Sequence, residues 1–338
     1  MSRTIIIAEA GVNHCGSLER AVEMVRAAAA AGADYVKFQT FKAENLVSKS
    51  ALKADYQTEN DPASGNSQLE MLRRLELRDD DFSRLAEECR KLDIGFLSTP
   101  FDFDSIRKLA ALDMDFWKIP SGEVTDLPYL RAVAAYGKPV VRSTGMCTLP
   151  EVEAAVDALC KAGLSRDMIS LLHCNTQYPT PPADVNLRAM NALRTLGCKA
   201  VGYSDHTLGI AVPLAATALG AAIIEKHFTL DRTLPGPDHK ASLTPAELKE
   251  MIDGIRCVEQ SIGSAEKIRT QSESGNVTVA RRSIVAARRI EKGEILTPDN
   301  LTVKRPGDGL SPMLWDTLIG TPAAETFLPD EKITLPRK

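Results

Sequence analysis

Short apolar runs and amphipathic stretches alternate along most of the chain. The runs Thr4–Ala8, Tyr35–Phe38, Gly95–Ser98, Phe116–Ile119, Val140–Ser143, Ile169–His173, Ala200–Tyr203 and Ala222–Lys226 have strand length and composition. The stretches Ser17–Ala31, Asp79–Leu92, Asp104–Leu112, Pro128–Tyr136, Leu149–Lys161, Asn186–Leu196, Gly209–Leu219 and Thr244–Ser261 are spaced as helices. Local signals agree. Thr244-Pro245-Ala246-Glu247 supplies a hydroxyl cap, a proline at the first helical position and a glutamate at the third. Gly32 ends the first helical stretch. Eight strands alternating with eight helices over about 260 residues predict an α/β fold, a (β/α)8 TIM barrel. An open doubly wound sheet would need a Gly-rich phosphate turn after its first strand, and none follows Thr4–Ala8.

Two segments break the rhythm. Residues 39–78 form a long connection centred on Asp61-Pro62-Ala63-Ser64-Gly65-Asn66, read as a lid or substrate wall, with a mobile surface insertion as the alternative. After Ser261 the pattern turns to short strands and turns. The expected boundaries are a barrel over 1–263, a polar linker over 264–279 and a small β-rich module over 280–338.

Composition narrows the class. The 338 residues are 44% hydrophobic and 25% charged, with a net charge of −4. These values suit a globular protein and carry no nucleic-acid or membrane footprint. The apolar part of the N-terminus is too short for a signal peptide. Seven cysteines without CxxC spacing favour reduced thiols and a cytoplasmic location.

Polar residues gather where strands end, the position of TIM-barrel active sites. His206 and His227 follow adjacent predicted strands. Neighbouring strands lie about 5 Å apart, so the two imidazoles can share one divalent ion. Lys37 and Lys118 end apolar strands, where a buried ammonium needs an anionic partner. An anionic substrate would supply it; Glu9 or Glu123 in a structural bridge would also, and a Schiff-base role is a third reading. Ser121-Gly122 and Ser143-Thr144-Gly145 let backbone N–H groups approach phosphate oxygens. Glu9, Glu123 and Asp238 are candidate bases or water-orienting groups, unranked by sequence. Arg305, in the small module, is a candidate carboxylate or N-acyl clamp, or an ordinary surface arginine.

The motifs Ala8-Glu9-Ala10-Gly11-Val12-Asn13-His14, Val36-Lys37-Phe38-Gln39, Lys118-Ile119-Pro120-Ser121-Gly122-Glu123, Tyr203-Ser204-Asp205-His206-Thr207 and Glu225-Lys226-His227-Phe228 stand in an order that resembles the sialic acid synthase family. The tail from Arg281, with Lys304-Arg305-Pro306-Gly307, resembles that family's antifreeze-like (SAF) module. The resemblance implies condensation of phosphoenolpyruvate with an N-acetylated mannose-type aldehyde, giving a nine-carbon 2-keto acid and phosphate. It implies Mn²⁺ or Mg²⁺ held by His206 and His227. It implies that Lys37, Thr99, Lys118, Ser121, Ser143 and Ser204 hold phosphate and carboxylate. Gln39, Thr176, Tyr178, Glu9, Glu123 and Asp238 would face the sugar or the reacting water. It further implies a domain-swapped homodimer in which Arg305 reaches the partner's sugar.

Two departures stand out. Cys15 replaces the Asn of Asn-His-Asn-Gly and is read as a residue tolerated in the turn, with no active thiol implied. The order Asn175-Thr176-Gln177-Tyr178 is offset by one from the family's Thr-Asn. The segment from Phe41 to Glu70 resembles the branch that makes N,N'-diacetyllegionaminic acid from a 2,4-diacetamido-6-deoxy sugar; N-acetylmannosamine is the alternative acceptor. A non-catalytic sugar- or ice-binding protein has no use for four such groups at one barrel mouth. A synthase acting on a sugar phosphate requires a further basic cluster, which the sequence lacks.

Overall fold

The computed structural model describes residues 3–61 and 65–335. The chain divides into two compact units, Met1–Gly263 and Ser264–Lys338.

The first unit is a TIM-like barrel. Its strands are β1 (Ile5–Gly11), β2 (Tyr35–Thr40), β3 (Gly95–Pro100), β4 (Trp117–Ile119), β5 (Val140–Ser143), β6 (Ile169–Cys174), β7 (Ala200–Asp205) and β8 (Ile223–His227). They run parallel in the order β3-β2-β1-β8-β7-β6-β5-β4, so the first strand pairs with both the second and the last. β3 and β4 lie side by side without a ladder. Side chains cap the edge of β3 there. The Ser98 N–H donates to Met114 Sδ at 3.4 Å, and the Tyr129 hydroxyl donates to the Pro100 carbonyl at 2.7 Å.

Helices α1 (Leu18–Ala31), α2 (Ala43–Leu46), α3 (Asp55–Asn60), α4 (Gln68–Leu75), α5 (Asp79–Lys91), α6 (Phe103–Leu109), α7 (Leu127–Ala134), α8 (Leu149–Lys161), α9 (Ala189–Arg194), α10 (Ala211–Ala218) and α11 (Pro245–Ile262) complete the unit. The apolar faces of the barrel helices and the strands form one core, including Met24, Phe38, Leu85, Trp117, Val156 and Ile255. Burying each such side chain contributes roughly 1.5–3 kcal/mol.

The 39–78 connection is itself folded. Leu69, Met71, Leu72 and Leu75 of α4 bury against Val12, Phe41 and Ala43 in a small separate core. Lys53, with its side chain fully buried, donates to the Asp61 carbonyl at 2.5 Å and anchors the C-terminal end of α3. Pro62, Ala63 and Ser64, the centre of the expected loop, lie outside the described residues.

The second unit opens with a 3-10 turn, Gln271–Glu273, and helix α12 (Ser274–Ala280), where sequence suggested only a linker. No apolar stripe announces this helix; Thr270, whose N–H and hydroxyl both donate to Glu273, starts the turn. β9 (Ser283–Ala286) and β10 (Leu301–Lys304) pair antiparallel over a core of Ile284, Ile290, Leu296, Leu318, Phe327 and Ile333. The segment Ile290–Glu294 is not a strand of its own; Ile290 forms a single bridge with Phe327.

One polar pair is sealed within the barrel. Asp205 and Lys226 stand in register on β7 and β8, fully buried, 2.5 Å apart. Lys226 also donates to the Thr207 carbonyl, and Asp205 accepts from the Thr207 N–H and hydroxyl. Removing one partner leaves an uncompensated buried charge, so Lys226→Met is expected to cost about 3–5 kcal/mol in urea unfolding. A loss below about 1 kcal/mol would mean that the pair does not hold β7 to β8.

Candidate active site

Strand register assembles the site. Glu9 on β1 is level with Lys37 on β2 and with His227 on β8, and Ser204 on β7 is level with Glu225 on β8. At the strand exits a cavity of about 370 Å³ is lined by Glu9, Lys37, Gln39, Thr99, Lys118, Ser121, Ser143, Thr176, Tyr178, Ser204, His206 and His227. A somewhat larger cavity, about 470 Å³, lies between α5 and the start of β3, at the opposite end of the strands.

One side of the site cavity is cationic. Lys37 lies 2.9 Å from Glu9 and 3.7 Å from Glu225, and donates to Thr99 Oγ1 at 3.1 Å. Lys118 donates to Ser143 Oγ at 2.8 Å and lies 3.4 Å from Glu225. Ser204 Oγ donates to Glu225 at 3.0 Å. Sequence reasoning noted Glu225 only as a neighbour of His227. Its signal was a carboxylate directly after the apolar run Ile223-Ile224 and within the predicted strand, where burial demands a cation.

These charges set each other's protonation. Burial favours a neutral Lys37, but Glu225 and Glu9 outweigh it and raise its pKa. For Lys118 burial wins over Glu225, and its pKa falls. Burial alone would raise Glu225; Lys118 and Lys37 bring it below the usual carboxylate value. Burial pushes Glu9 up to about 7 against the pull of Lys37. The cluster therefore holds two ammonium groups, one firm carboxylate and one carboxyl that exchanges its proton near neutrality.

The other side is ligating. The His206 and His227 ring centroids are 5.4 Å apart. His206 Nδ1 bonds the Asn175 carbonyl, so this nitrogen carries the proton and Nε2 presents a lone pair. Burial holds His206 down to about 4 and His227 well below its ordinary value, the latter with help from His206 and Lys37. Tyr178 packs over His206 at 4.0 Å and meets His227 edge-on at 5.5 Å. Tyr56 of α3 stacks on Tyr178 at 5.2 Å. Sequence reasoning did not single out Tyr56; the signal was a lone aromatic in an otherwise polar helix.

The donors fit a divalent ion. Both imidazoles are neutral, and the buried His227 Nδ1 has no hydrogen-bond partner in the structure. Among the described residues no cluster of three or more His, Cys, Asp or Glu side chains is arranged for a metal. A divalent ion held by these two imidazoles would need its remaining ligands from outside the protein.

Three expected residues lie elsewhere. Glu123 does not face this cavity; it lines a separate groove with Asp102, Asp104 and Asp126. It ends a 3-10 turn whose side chains rotate by about a third of a turn per residue, so Ser121 points in and Glu123 away. Asp238 stands beside His227, its Oδ2 3.8 Å from Nδ1, and burial raises it to about 7. Arg305 follows β10 in the second unit and is exposed. Asn175, the offset residue, serves through its carbonyl on His206.

Comparison with known proteins decides the family. A model described as the NeuB family matches residues 24–267, and a SAF domain model matches residues 281–337. The chain belongs to the NeuB family. This NeuB-family chain is 48% identical over 333 residues to the N,N'-diacetyllegionaminic acid synthase of Campylobacter jejuni, covering 98% of this chain and 99% of that one. It is 47% identical to the Legionella pneumophila protein of the same name, covering 94% of this chain and 89% of that one. The crystal structure of an N-acetylneuraminic acid synthetase from Leptospira borgpetersenii superposes with a TM-score of 0.72 at 33% identity, covering 82% of this chain and 90% of that one.

Buried histidines, in the site and beside it, make stability pH-dependent. Burial depresses His14, His206 and His239 to about 4. Above the unfolded value of 6.5 both states are neutral. As pH falls toward 4, the unfolded chain takes up protons that the native chain refuses, and stability is lost. Glu9 and Asp238 oppose this, because their raised values let the native chain bind protons between about 7 and the unfolded carboxylate range. The histidines outnumber them. The urea midpoint of metal-free protein is expected to fall from pH 6.5 to 5, and more steeply in Glu9→Gln/Asp238→Asn. A midpoint that rises over this window would refute the assignment.

Proposed function

We propose that this chain is a nonulosonic acid synthase. It joins phosphoenolpyruvate to open-chain 2,4-diacetamido-2,4,6-trideoxymannose and, with one water, gives N,N'-diacetyllegionaminic acid and phosphate. The observation that carries the reading is the division of one cavity into a two-lysine side and a two-histidine side. The first suits a phosphate and a carboxylate, the second an aldehyde oxygen. The near-full-length similarity to the two legionaminic acid synthases supports the choice of acceptor.

Lys37 and Lys118 hold the phosphate and carboxylate, with Thr99, Ser121, Ser143 and Ser204 donating hydrogen bonds. The trianion adds the negative charge that Lys118 lacks at rest. His206 and His227 would hold Mn²⁺ or Mg²⁺, which when bound would supply Lewis-acid polarisation of the aldehyde. The substrate's C3 forms a bond to the aldehyde carbon, leaving positive charge at C2. Water adds at C2; one of its protons passes by way of Glu9 to the former aldehyde oxygen, and the other leaves with phosphate as the C2–O bond to phosphate breaks and the C2 carbonyl forms. Glu9 takes the water's proton, its carboxyl being poised near neutrality beside Gln39 at 3.4 Å. Tyr178 and Tyr56 cover the imidazoles and exclude bulk water. Gln57, Gln68, Phe101 and Met146 form the outer wall, offering amides to the second acetamido group and apolar surface to the deoxy carbon. Thr176 and Tyr178 face the same sugar. Asp238 stands beside His227 Nδ1 at 3.8 Å and sets the charge next to that imidazole. Arg305 acts from the partner protomer of a domain-swapped homodimer in the cytoplasm; its exposure within its own unit is compatible with this role. No described helix is long and apolar enough to cross a membrane.

The test is phosphate release from phosphoenolpyruvate with Mn²⁺ and either the diacetamido sugar or N-acetylmannosamine. Expected is a kcat/KM at least about tenfold higher for the diacetamido sugar, a difference of about 1.4 kcal/mol. The reverse preference would assign the N-acetylneuraminate reaction instead. Equal phosphate release without any acceptor would reject the synthase reading.

The metal assignment has its own check. His206→Ala and His227→Ala are each expected to weaken Mn²⁺ binding at least about tenfold by calorimetry, while circular dichroism stays native. Stoichiometric, tight Mn²⁺ in both variants would move the metal elsewhere.

A further inference from the structure

We propose that Cys15 and His239 form a thiol–imidazole pair that reacts with hydroperoxides, converting Cys15 to a sulfenic acid and disturbing the turn that carries Asp238. Cys15 Sγ lies 3.2 Å from His239 Nε2. The far side of the ring fixes its tautomer. Thr229 Oγ1 donates to the Asp231 carbonyl at 3.1 Å, so it accepts from His239 Nδ1 at 2.8 Å. Nε2 therefore turns a lone pair toward the thiol. His239 is only 1% exposed, and Gly236 makes its position possible: a Cβ there would stand 2.8 Å from the ring.

This is a built pair of unlike groups, with a cation beside it. The Arg20 guanidinium, which donates to the His14 carbonyl at 3.0 Å, favours a negative sulfur at Cys15. The thiol is partly exposed, so a small oxidant has access. Its backbone has φ +51°, a left-handed conformation that a turn residue such as Asn adopts readily. Cys15 thus occupies a turn, as its sequence position suggests, but it also faces a base.

At rest the thiol keeps its proton, since burial raises its pKa, and burial keeps His239 neutral. The pair then works as a hydroxyl–imidazole pair does, with proton transfer during attack. The sulfur attacks one peroxide oxygen, the S–O bond forms and the O–O bond breaks. His239 Nε2 takes the thiol proton and returns it to the departing hydroxide, which leaves as water. Thiol and hydrogen peroxide become sulfenic acid and water, and no other reactant is needed.

The added oxygen enters beside this turn. The Pro235 carbonyl is already 3.6 Å from Sγ, and the Pro237 carbonyl is tied to α3 by Asn60 at 2.8 Å. Displacing this turn moves Asp238, which stands 3.8 Å from His227.

The experiment treats the full-length protein with hydrogen peroxide, traps sulfenic acid with dimedone and follows each cysteine by mass spectrometry. Cys147 and Cys198, also partly exposed, are internal references. Expected is oxidation of Cys15 at least about tenfold faster than of either, falling to their rate in natively folded His239→Gln. Cys15→Asn, expected to keep basal activity, should retain phosphate release under peroxide doses that silence the parent. Equal rates at the three cysteines would overturn the pair. Fast Cys15 oxidation with undiminished turnover, or equal inactivation of Cys15→Asn, would overturn the link to Asp238. The mass readout is independent of the proposed reaction, so failure of one is distinguishable from failure of the other.

Discussion

Glu225 is the point on which the barrel mouth depends. Two ammonium groups, Lys37 and Lys118, are buried beside each other, and their repulsion in a poorly solvated interior would be prohibitive without a shared anion. Glu225 supplies it from β8 and is itself kept ionised by both lysines and by Ser204. Lys37 has Glu9 as a second partner at 2.9 Å, whereas Lys118 has Glu225 alone and remains under-neutralised. The resting site is thus stable enough to fold and still short of negative charge, which is the condition for admitting a polyanion.

The histidines obey the opposite rule. Where Lys37 is held charged by its carboxylates, His206 and His227 are held uncharged, by burial and by the nearby cations. Protonated, they would add two positive charges to a cluster that already has two. Tyr178, pressed over one ring and against the edge of the other, keeps solvent from reversing this. A single cavity therefore contains a charge-binding half and a lone-pair half, separated by β1 and β8 side chains rather than by distance.

Much of this was legible in the sequence. Strand-length apolar runs and capped amphipathic stretches defined the barrel, because the core of such a fold imposes a simple alternation. Residues at strand exits were legible for the same reason: Lys37, Lys118, His206 and His227 end runs whose register the fold fixes. Glu123 misled because residues of a 3-10 turn fan outward, so adjacency to Ser121 does not mean a shared direction. Glu225 was undervalued because its meaning lies in partners 188 and 107 residues earlier in the chain, 225 less 37 and 225 less 118. The helices of the 39–78 connection and α12 were hidden because short elements without a full apolar stripe draw their stability from tertiary contacts or from local capping.

The seam between β3 and β4 bears on how the mouth accommodates what enters it. Lys37 and Thr99 stand on one bank, Lys118 and Ser143 on the other, and no ladder hydrogen bonds cross between. Elsewhere the hoop is stitched strand to strand, and widening it would break backbone bonds. Here only Met114, Tyr129 and their neighbours span the gap, and side-chain contacts slide where backbone bonds must snap. The span between the two cationic banks is therefore the softest dimension of an otherwise stiff ring, and its gauge is set by sulfur and aromatic packing on the outside of the barrel.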